Sequence, residues 1–299
     1  MPKKLLSRVA VVTGAGRGLG RAMAIALAQE GAIVVVNDTG VEMDGTGGSR
    51  APADQVVAEI RASGGAAIPN YDSVSTFLSA GRVIEAATRS FGKIDILINN
   101  AGILRGGPIW QMTPESFESV LSAHLKGTFY CTRHACESMR EQQWGRIINI
   151  VSRAGLVGSA NTADYAAAKG GIFGFTNAVS RDLAPFGITV NAINPGAALT
   201  RMVTSAVERA KREGEDPGRA QRMLSIAQQP EDLAPLAAYL STNEASGITG
   251  QIFFVLRGQV GLFPPMTISK EVSKSGRWTV DELAKAIPKL EIPPLQQLY

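Results

Sequence analysis

Short β-branched runs take turns with longer stretches of helical period from Arg8 to about Gly258, and this alternation constrains the fold more than any other feature of the chain. Arg8–Thr13 (RVAVVT), Ala32–Val36 (AIVVV), Ala66–Tyr71, Ile94–Ile98 (IDILI), Arg146–Val151 (RIINIV), Ile188–Ile193 (ITVNAI) and Gln251–Leu256 (QIFFVL) read as strands, the last of these closing the series. Gly18–Glu30, Ala53–Ser63, Phe77–Phe91, Thr113–Arg140 and Ala163–Leu183 read as the helices between them. The strand runs are nearly continuous in apolar residues, as strands covered on both faces require. Parallel strands joined by crossover helices satisfy this pattern. The expected fold is therefore α/β, a Rossmann-like doubly wound parallel sheet forming a single domain over residues 1–258.

Two segments break the rhythm. Thr39–Pro52 (TGVEMDGTGGSRAP) is a Gly-rich insertion, longer than the roughly two to six residues of an ordinary α/β connection, and is expected to be a surface loop. Beyond Gly258 the chain carries Pro264-Pro265, Pro288 and Pro293-Pro294 around one amphipathic segment, Val280–Ile287. Residues 259–299 are expected to form a C-terminal extension packed on the domain or on a partner subunit.

Composition excludes several classes. The 30 basic and 26 acidic residues give a formal charge of +4 with no Lys/Arg block, so no nucleic-acid partner is expected. No apolar run approaches the roughly 18 to 20 residues needed to cross a bilayer, so no membrane partner is expected either. Cys131 and Cys136 lie on different faces of one helical segment and are not expected to bridge; a reducing, cytoplasmic location follows, and no metal is expected.

The first motif with chemistry in it is Thr13-Gly14-Ala15-Gly16-Arg17-Gly18-Leu19-Gly20, between the first strand and the first helix. Glycines there allow a tight turn and let the backbone approach a pyrophosphate, whose charge is favoured at a helix N-terminus. Three further motifs follow in order: Asn99-Asn100-Ala101-Gly102 after the fourth strand, Ser152 followed by Tyr165 and Lys169, and Asn194-Pro195-Gly196 with Thr200. A tyrosine and a lysine four apart on one helix share a face. The Lys169 ammonium is thus expected to favour the Tyr165 phenolate, lowering a pKa that is ordinarily about 10 and making the phenol a base near neutral pH. Ser152 leaves its strand at the end where open α/β sheets bind ligands and can hydrogen-bond a substrate oxygen.

In T-G-x-x-x-G-x-G, N-N-A-G, S…Y-x-x-x-K and N-P-G…T the chain resembles the classical short-chain dehydrogenase/reductase family over nearly the whole sheet-forming region. The resemblance implies that Tyr165 takes the proton of an alcohol while hydride leaves the same carbon for nicotinamide, the roles reversing in reduction. It implies a dinucleotide site made of Gly14, Arg17, Gly18, Leu19 and Gly20, with Asp72 and Ser73 flanking the adenine and Asn100 lining the adenosine side. Ala101, Gly102, Pro195 and Gly196 belong to the same site, Ala198 and Thr200 meet the carboxamide, and Lys169, beside Tyr165, binds the nicotinamide ribose. His124 stands where the family carries an asparagine that links the lysine to water through a kinked helix, and it is a fourth catalytic candidate. Residues of about 199–230 correspond to the family's substrate lid.

Asp38, at the end of the second strand, can accept hydrogen bonds from the adenosine ribose and would repel a 2′-phosphate, so NAD is favoured over NADP; Arg17 argues the other way and weighs less. Six basic residues of the lid, from Arg201 to Arg222, favour a phosphorylated handle such as coenzyme A. Val35–Asp38 with the long insertion, Asn70–Val74, Asn99–Arg105 and the His124 position also resemble one subgroup: the (3R)-hydroxyacyl-CoA dehydrogenase modules of peroxisomal multifunctional enzymes and their stand-alone bacterial relatives. No hydratase or sterol-carrier segment is expected, unlike in that subgroup's multifunctional members, and the chain reads Leu256-Arg257-Gly258 where many family members read D-G-G. The expected activity is NAD-dependent interconversion of a 3-hydroxyacyl-CoA and a 3-ketoacyl-CoA. The rivals are a 17β-hydroxysteroid dehydrogenase and a non-catalytic NAD-binding scaffold. Relatives of this kind pair through their long helices, so a homodimer or homotetramer is expected.

Overall fold

The computed structural model describes residues 2–201, 204 and 224–292. Its strands are β1 (Val9–Thr13), β2 (Ile33–Asn37), β3 (Ala66–Asn70), β4 (Ile96–Asn99), β5 (Gly145–Ile150), β6 (Ile188–Asn194), β7 (Ile252–Leu256) and β8 (Gln259–Leu262). They form one sheet in the order β3-β2-β1-β4-β5-β6-β7-β8, parallel from β3 to β7, with β8 antiparallel at the edge. The connecting helices are α1 (Gly18–Gln29), α2 (Ala51–Ala62), α3 (Phe77–Phe91), α4 (Pro114–Leu121), α5 (Gly127–Glu141), α6 (Ala154–Val157), α7 (Ala163–Leu183) and α8 (Ala234–Leu240). A further short helix, α9 (Val280–Ala286), lies in the tail and is closed at its start by a capping box between Thr279 and Glu282.

Every residue of β1, β4, β5 and β6 is buried, and successive side chains go to opposite faces. On one face Ala10, Val12, Val34, Val36, Ile96 and Ile98 pack with Met23 and Leu27 of α1 and with Val56 and Ile60 of α2. On the other, Val9, Val11, Val35, Leu97 and Ile147 pack with Val83 and Ile84 of α3 and with Cys131, Ala135 and Met139 of α5. The expected doubly wound sheet is thus present, with one core on each side. Cys131 and Cys136 are both free, and burial pushes the Cys131 thiol up to about 12.

Three features differ from the expectation. The long helix expected over Thr113–Arg140 is two helices joined by a π-turn at Ser122–Lys126, one residue wider per turn than an α-helix, with His124 at its centre. The sheet also runs beyond Gly258: Arg257 (φ 46°) and Gly258 (φ 76°) form a two-residue loop with both residues left-handed, and Leu256 pairs with Gln259 across it. Finally, the Thr39–Pro52 insertion is largely exposed as expected, but its first half also walls the cleft described below.

The chain leaves β1 and β4 toward opposite faces, so their carboxyl ends diverge and open a crevice between them. Its two lips are tied by Thr13, whose buried hydroxyl accepts the backbone N–H groups of Asn100 (3.0 Å) and Ala101 (3.1 Å). Thr13→Val keeps the shape and removes both acceptor contacts, so it should lower unfolding stability by about 1–3 kcal/mol in urea titrations; a smaller change would show that the tie is dispensable.

Candidate functional site

The carboxyl ends of β1, β2, β4, β5 and β6 open into one cleft of ≈ 710 Å³. Gly14 (φ 63°) and Gly18 (φ 52°) adopt left-handed backbone on its floor. A Cβ on Gly14 would stand 2.8 Å from Ala101 Cα. Arg17, Gly18 and Leu19 line the cleft with Gly14, whereas Gly20 does not: a Cβ there would meet the Gly14 carbonyl oxygen at 2.1 Å, so its absence lets α1 sit against the loop. The first turn of α1 has no side-chain cap and no acidic residue, and one guanidinium nitrogen of Arg17, Nη1, is buried without a partner. Uncapped helical N–H groups, a backbone cradle and an orphaned cationic donor fit an anionic pyrophosphate.

At the β2 end of the cleft, Asp38 accepts the N–H of Gly16 on Oδ2 (2.8 Å) and that of Gly40 on Oδ1 (2.7 Å), which fixes its carboxylate against the glycine loop. Asp72 and Ser73 line the same end, Asp72 accepting from Arg82 Nε at 2.6 Å and from Asn70 Nδ2 at 3.0 Å. Asn100 also lines the cleft, but its amide nitrogen is spent on the carbonyls of Thr13 (2.9 Å) and Gly14 (3.0 Å), so it braces the loop from below. Ala101 and Gly102 continue the wall toward β5, and Pro195, Gly196, Ala198 and Thr200 close it beyond β6.

Ser152, Tyr165, Lys169 and His124 meet at the far end. Tyr165 and Lys169 share a face of α7 as their spacing requires, Lys169 Nζ lying 5.7 Å from the phenol ring centroid. The lysine hydrogen-bonds the carbonyl of Ile150 at 2.6 Å, and burial pulls its ammonium down to about 7. Burial pushes the Tyr165 phenol above its ordinary value, and the hydrogen bond with Ser152 acts against that rise. The direction is opposite to the expected lowering: desolvation disfavours the phenolate, and the Lys169 ammonium is directed at the Ile150 carbonyl.

Burial and then the Lys169 charge pull the His124 imidazole down to about 3, against the hydrogen bond to Ile103. Its neutral ring donates from Nε2 to the carbonyl of Ile103 (2.8 Å), leaving Nδ1 a buried acceptor without a partner. The ring fills the space a side chain at Gly102 would take, since a Cβ there would lie 1.9 Å from Cε1, and it stacks edge-on to Tyr165 with centroids 5.3 Å apart.

The sequence model of the short chain dehydrogenase family matches residues 8–211. The chain belongs to the short chain dehydrogenase family. It is 41% identical over 254 residues to the peroxisomal hydratase-dehydrogenase-epimerase of Saccharomyces cerevisiae, a match covering 85% of this chain but 26% of that much longer protein. It is 40% identical over 257 residues to a 3-oxoacyl-[acyl-carrier-protein] reductase of Synechocystis, covering 86% of this chain and 98% of the reductase. The crystal structure of a short chain dehydrogenase from Mycobacterium avium superposes with a TM-score of 0.82 at 36% identity, over 99% of each chain.

Several residues that shape this short chain dehydrogenase cleft carry no motif. Buried Asp164 accepts the N–H of Tyr165 on Oδ1 (2.7 Å) and that of Gly106 on Oδ2 (3.1 Å), joining the start of the Tyr165 helix to the loop after β4. Buried Gln228 donates from Nε2 to the carbonyl of Pro195 and, at 2.8 Å, to that of Val255, holding the segment after β6. Neither tie has a cue in the sequence, because Gly106, Pro195 and Val255 lie far along the chain from them. The lid expected at about 199–230 is described only at 199–201, 204 and 224–230; Arg209, Lys211, Arg212, Arg219 and Arg222 lie outside the described residues.

Lys169 titrates at about 7 in the fold against 10.5 ordinarily, so between these values the unfolded chain holds the extra proton. The cost of burying the ammonium is full below pH 7 and fades toward pH 10.5. Lys169→Met should therefore raise the melting temperature more at pH 6 than at pH 9 in scanning calorimetry; equal changes at both would contradict this.

Proposed function

We propose that the protein interconverts a secondary alcohol and a ketone with NAD as hydride carrier, and that its substrate is a 3-hydroxyacyl-CoA or 3-ketoacyl-CoA thioester. The observation that carries the reading is the convergence of Ser152, Tyr165 and buried Lys169 in one corner of a cleft whose other end fits a pyrophosphate. The bound nicotinamide supplies hydride transfer to or from the substrate carbon. Tyr165 holds its proton in the free protein and donates it to a ketone oxygen, while the Ser152 hydroxyl hydrogen-bonds the same oxygen. In the oxidative direction the phenolic oxygen must first be bare, so alcohol oxidation should accelerate as pH rises above neutrality and ketone reduction should not. Parallel pH profiles in the two directions would remove Tyr165 from this role.

Two similarities favour the thioester: the name of the Synechocystis relative specifies a 3-oxoacyl group on a carrier, and the yeast relative's name joins a dehydrogenase to a hydratase. The rim of the cleft carries Arg105, whose charge suits the phosphates of a coenzyme A handle. Asp38 supports NAD, because a 2′-phosphate would stand against its carboxylate, and the buried Arg17 donor suits the pyrophosphate. Exposed Phe129 on α5, with its ring 6.3 Å from Phe175 of α7, supports pairing of two copies through these helices in a cytoplasmic homodimer or homotetramer.

The test is purified protein with NADH or NADPH against acetoacetyl-CoA and against a free 17-ketosteroid. Turnover of the CoA ester with NADH is expected; turnover of the steroid alone would replace the substrate assignment. Tyr165→Phe should lower turnover by about 10²- to 10⁴-fold with NADH binding retained. Unchanged turnover would remove Tyr165 from the chemistry, and dinucleotide binding with no turnover of either substrate would make the protein a dinucleotide-binding scaffold. Asp38→Ala should improve the use of NADPH relative to NADH by more than about tenfold, since facing like charges costs several kcal/mol.

A further inference from the structure

The insertion after β2 does not stay on its own side of the cleft. Val41, Glu42, Met43 and Gly45 line the cleft, and the loop is held from across it. The N–H of Leu104, after β4, donates to the carbonyl of Met43 at 2.8 Å, and Arg105 Nε donates to that of Asp44 at 3.1 Å. Arg201, which leaves the end of β6 behind Thr200, reaches back to the same loop: Nη1 donates to Glu42 Oε2 at 3.0 Å and Nη2 to the carbonyl of Val41 at 3.3 Å.

The sheet order makes this contact unusual. β2 and β6 are four positions apart, with β1, β4 and β5 between them. At about 4.8 Å per strand, a link between the segments that follow them spans about 19 Å along the carboxyl edge of the sheet. Under that span end the strands that carry the glycine loop, Asn100–Gly102 and Ser152. Thr200, next to Arg201, lies against the glycine loop, where a Cβ on Gly18 would stand 3.1 Å from its Cγ2, so the segment after β6 crosses most of that span and the fourteen-residue insertion, Thr39–Pro52, meets it there.

We infer that residues 41–45 and Arg201 form a strap across the mouth of the dinucleotide cleft, and that the Glu42–Arg201 ion pair is its clasp, setting how fast the dinucleotide leaves. The strap rests on the cleft's being the dinucleotide site, and not on which alcohol is oxidised. Glu42 and Arg201 touch no reacting atom; they act by holding the two sides of the mouth together. Both side chains are substantially exposed, 65% and 41%, so the pair is a weak and salt-sensitive latch.

The experiment is stopped-flow release of NADH, and separately of NADPH, from the full chain, followed by the fluorescence of the reduced nicotinamide. For whichever dinucleotide binds, the dissociation rate of the unaltered protein should rise with KCl. Glu42→Gln should raise that rate about two- to fivefold at low salt and flatten its salt dependence, as loss of an exposed ion pair predicts. Arg201→Gln should raise it at least as much, because the bond to Val41 goes too, and the double variant should release no faster than Arg201→Gln alone. The charge-exchanged pair, Glu42→Arg with Arg201→Glu, should slow release again relative to Glu42→Arg by itself. Unchanged release in both single variants, or effects that multiply in the double, would overturn the clasp. Failure of both dinucleotides to bind would overturn the assignment of the cleft, and the strap with it.

Discussion

The divergence of β1 and β4 is the constraint on which the rest of this molecule depends. Adjacent strands send the chain to opposite faces, so the sheet cannot close over its own carboxyl edge there. The gap would expose backbone N–H groups on the β4 lip and carbonyls on the β1 lip, and the Thr13 hydroxyl and the Asn100 amide satisfy them by bonding each lip to the other. Once the gap is held at a fixed width, the glycine loop, Asp38, Asn100–Gly102, Ser152 and the segment after Asn194 are all presented to one space.

Within that space, water exclusion governs the chemistry. In solvent a lysine beside a phenol would favour the phenolate. Here Lys169 is buried and Tyr165 partly so, and loss of water penalises the charged form of each, so the lysine moves down and the phenol moves up. His124 follows the same rule more strongly and is a neutral donor to Ile103. The corner is thus set near electrical neutrality, with a protonated phenol facing the cleft, and it is readier to give a proton than to take one. A ligand that brings positive charge or excludes more water would change this balance directly.

Most of the architecture was legible in the chain because its signals are local. Short continuous apolar runs and period-3.6 patterning located β1 to β7 and the main helices to within a few residues, and the ordered glycine, asparagine, serine, tyrosine and lysine motifs located the cleft. The features that escaped each have a physical reason. The π-turn at Ser122–Lys126 adds one residue to a helix whose apolar spacing still reads as continuous. β8 follows a loop of Arg257 and Gly258, and an arginine with positive φ gives no hairpin signal of the Asn-Gly kind; its Gln259–Leu262 strand is half exposed and weakly patterned. Asp164 and Gln228 are single polar residues whose worth lies in partners 58 and 33 residues away.

The sequence by itself determined the order of strands and helices, the glycine turn, and the fact that Tyr165 and Lys169 share a helical face, because these depend on backbone conformation and spacing within a few residues. Only the tertiary structure decided the protonation of that pair, the wedging of His124 against Gly102, and the reach of Val41–Gly45 to Arg201. Each of those depends on how much water is removed, and on which distant segments are brought together, when the layers close. Neither quantity exists until the chain has folded.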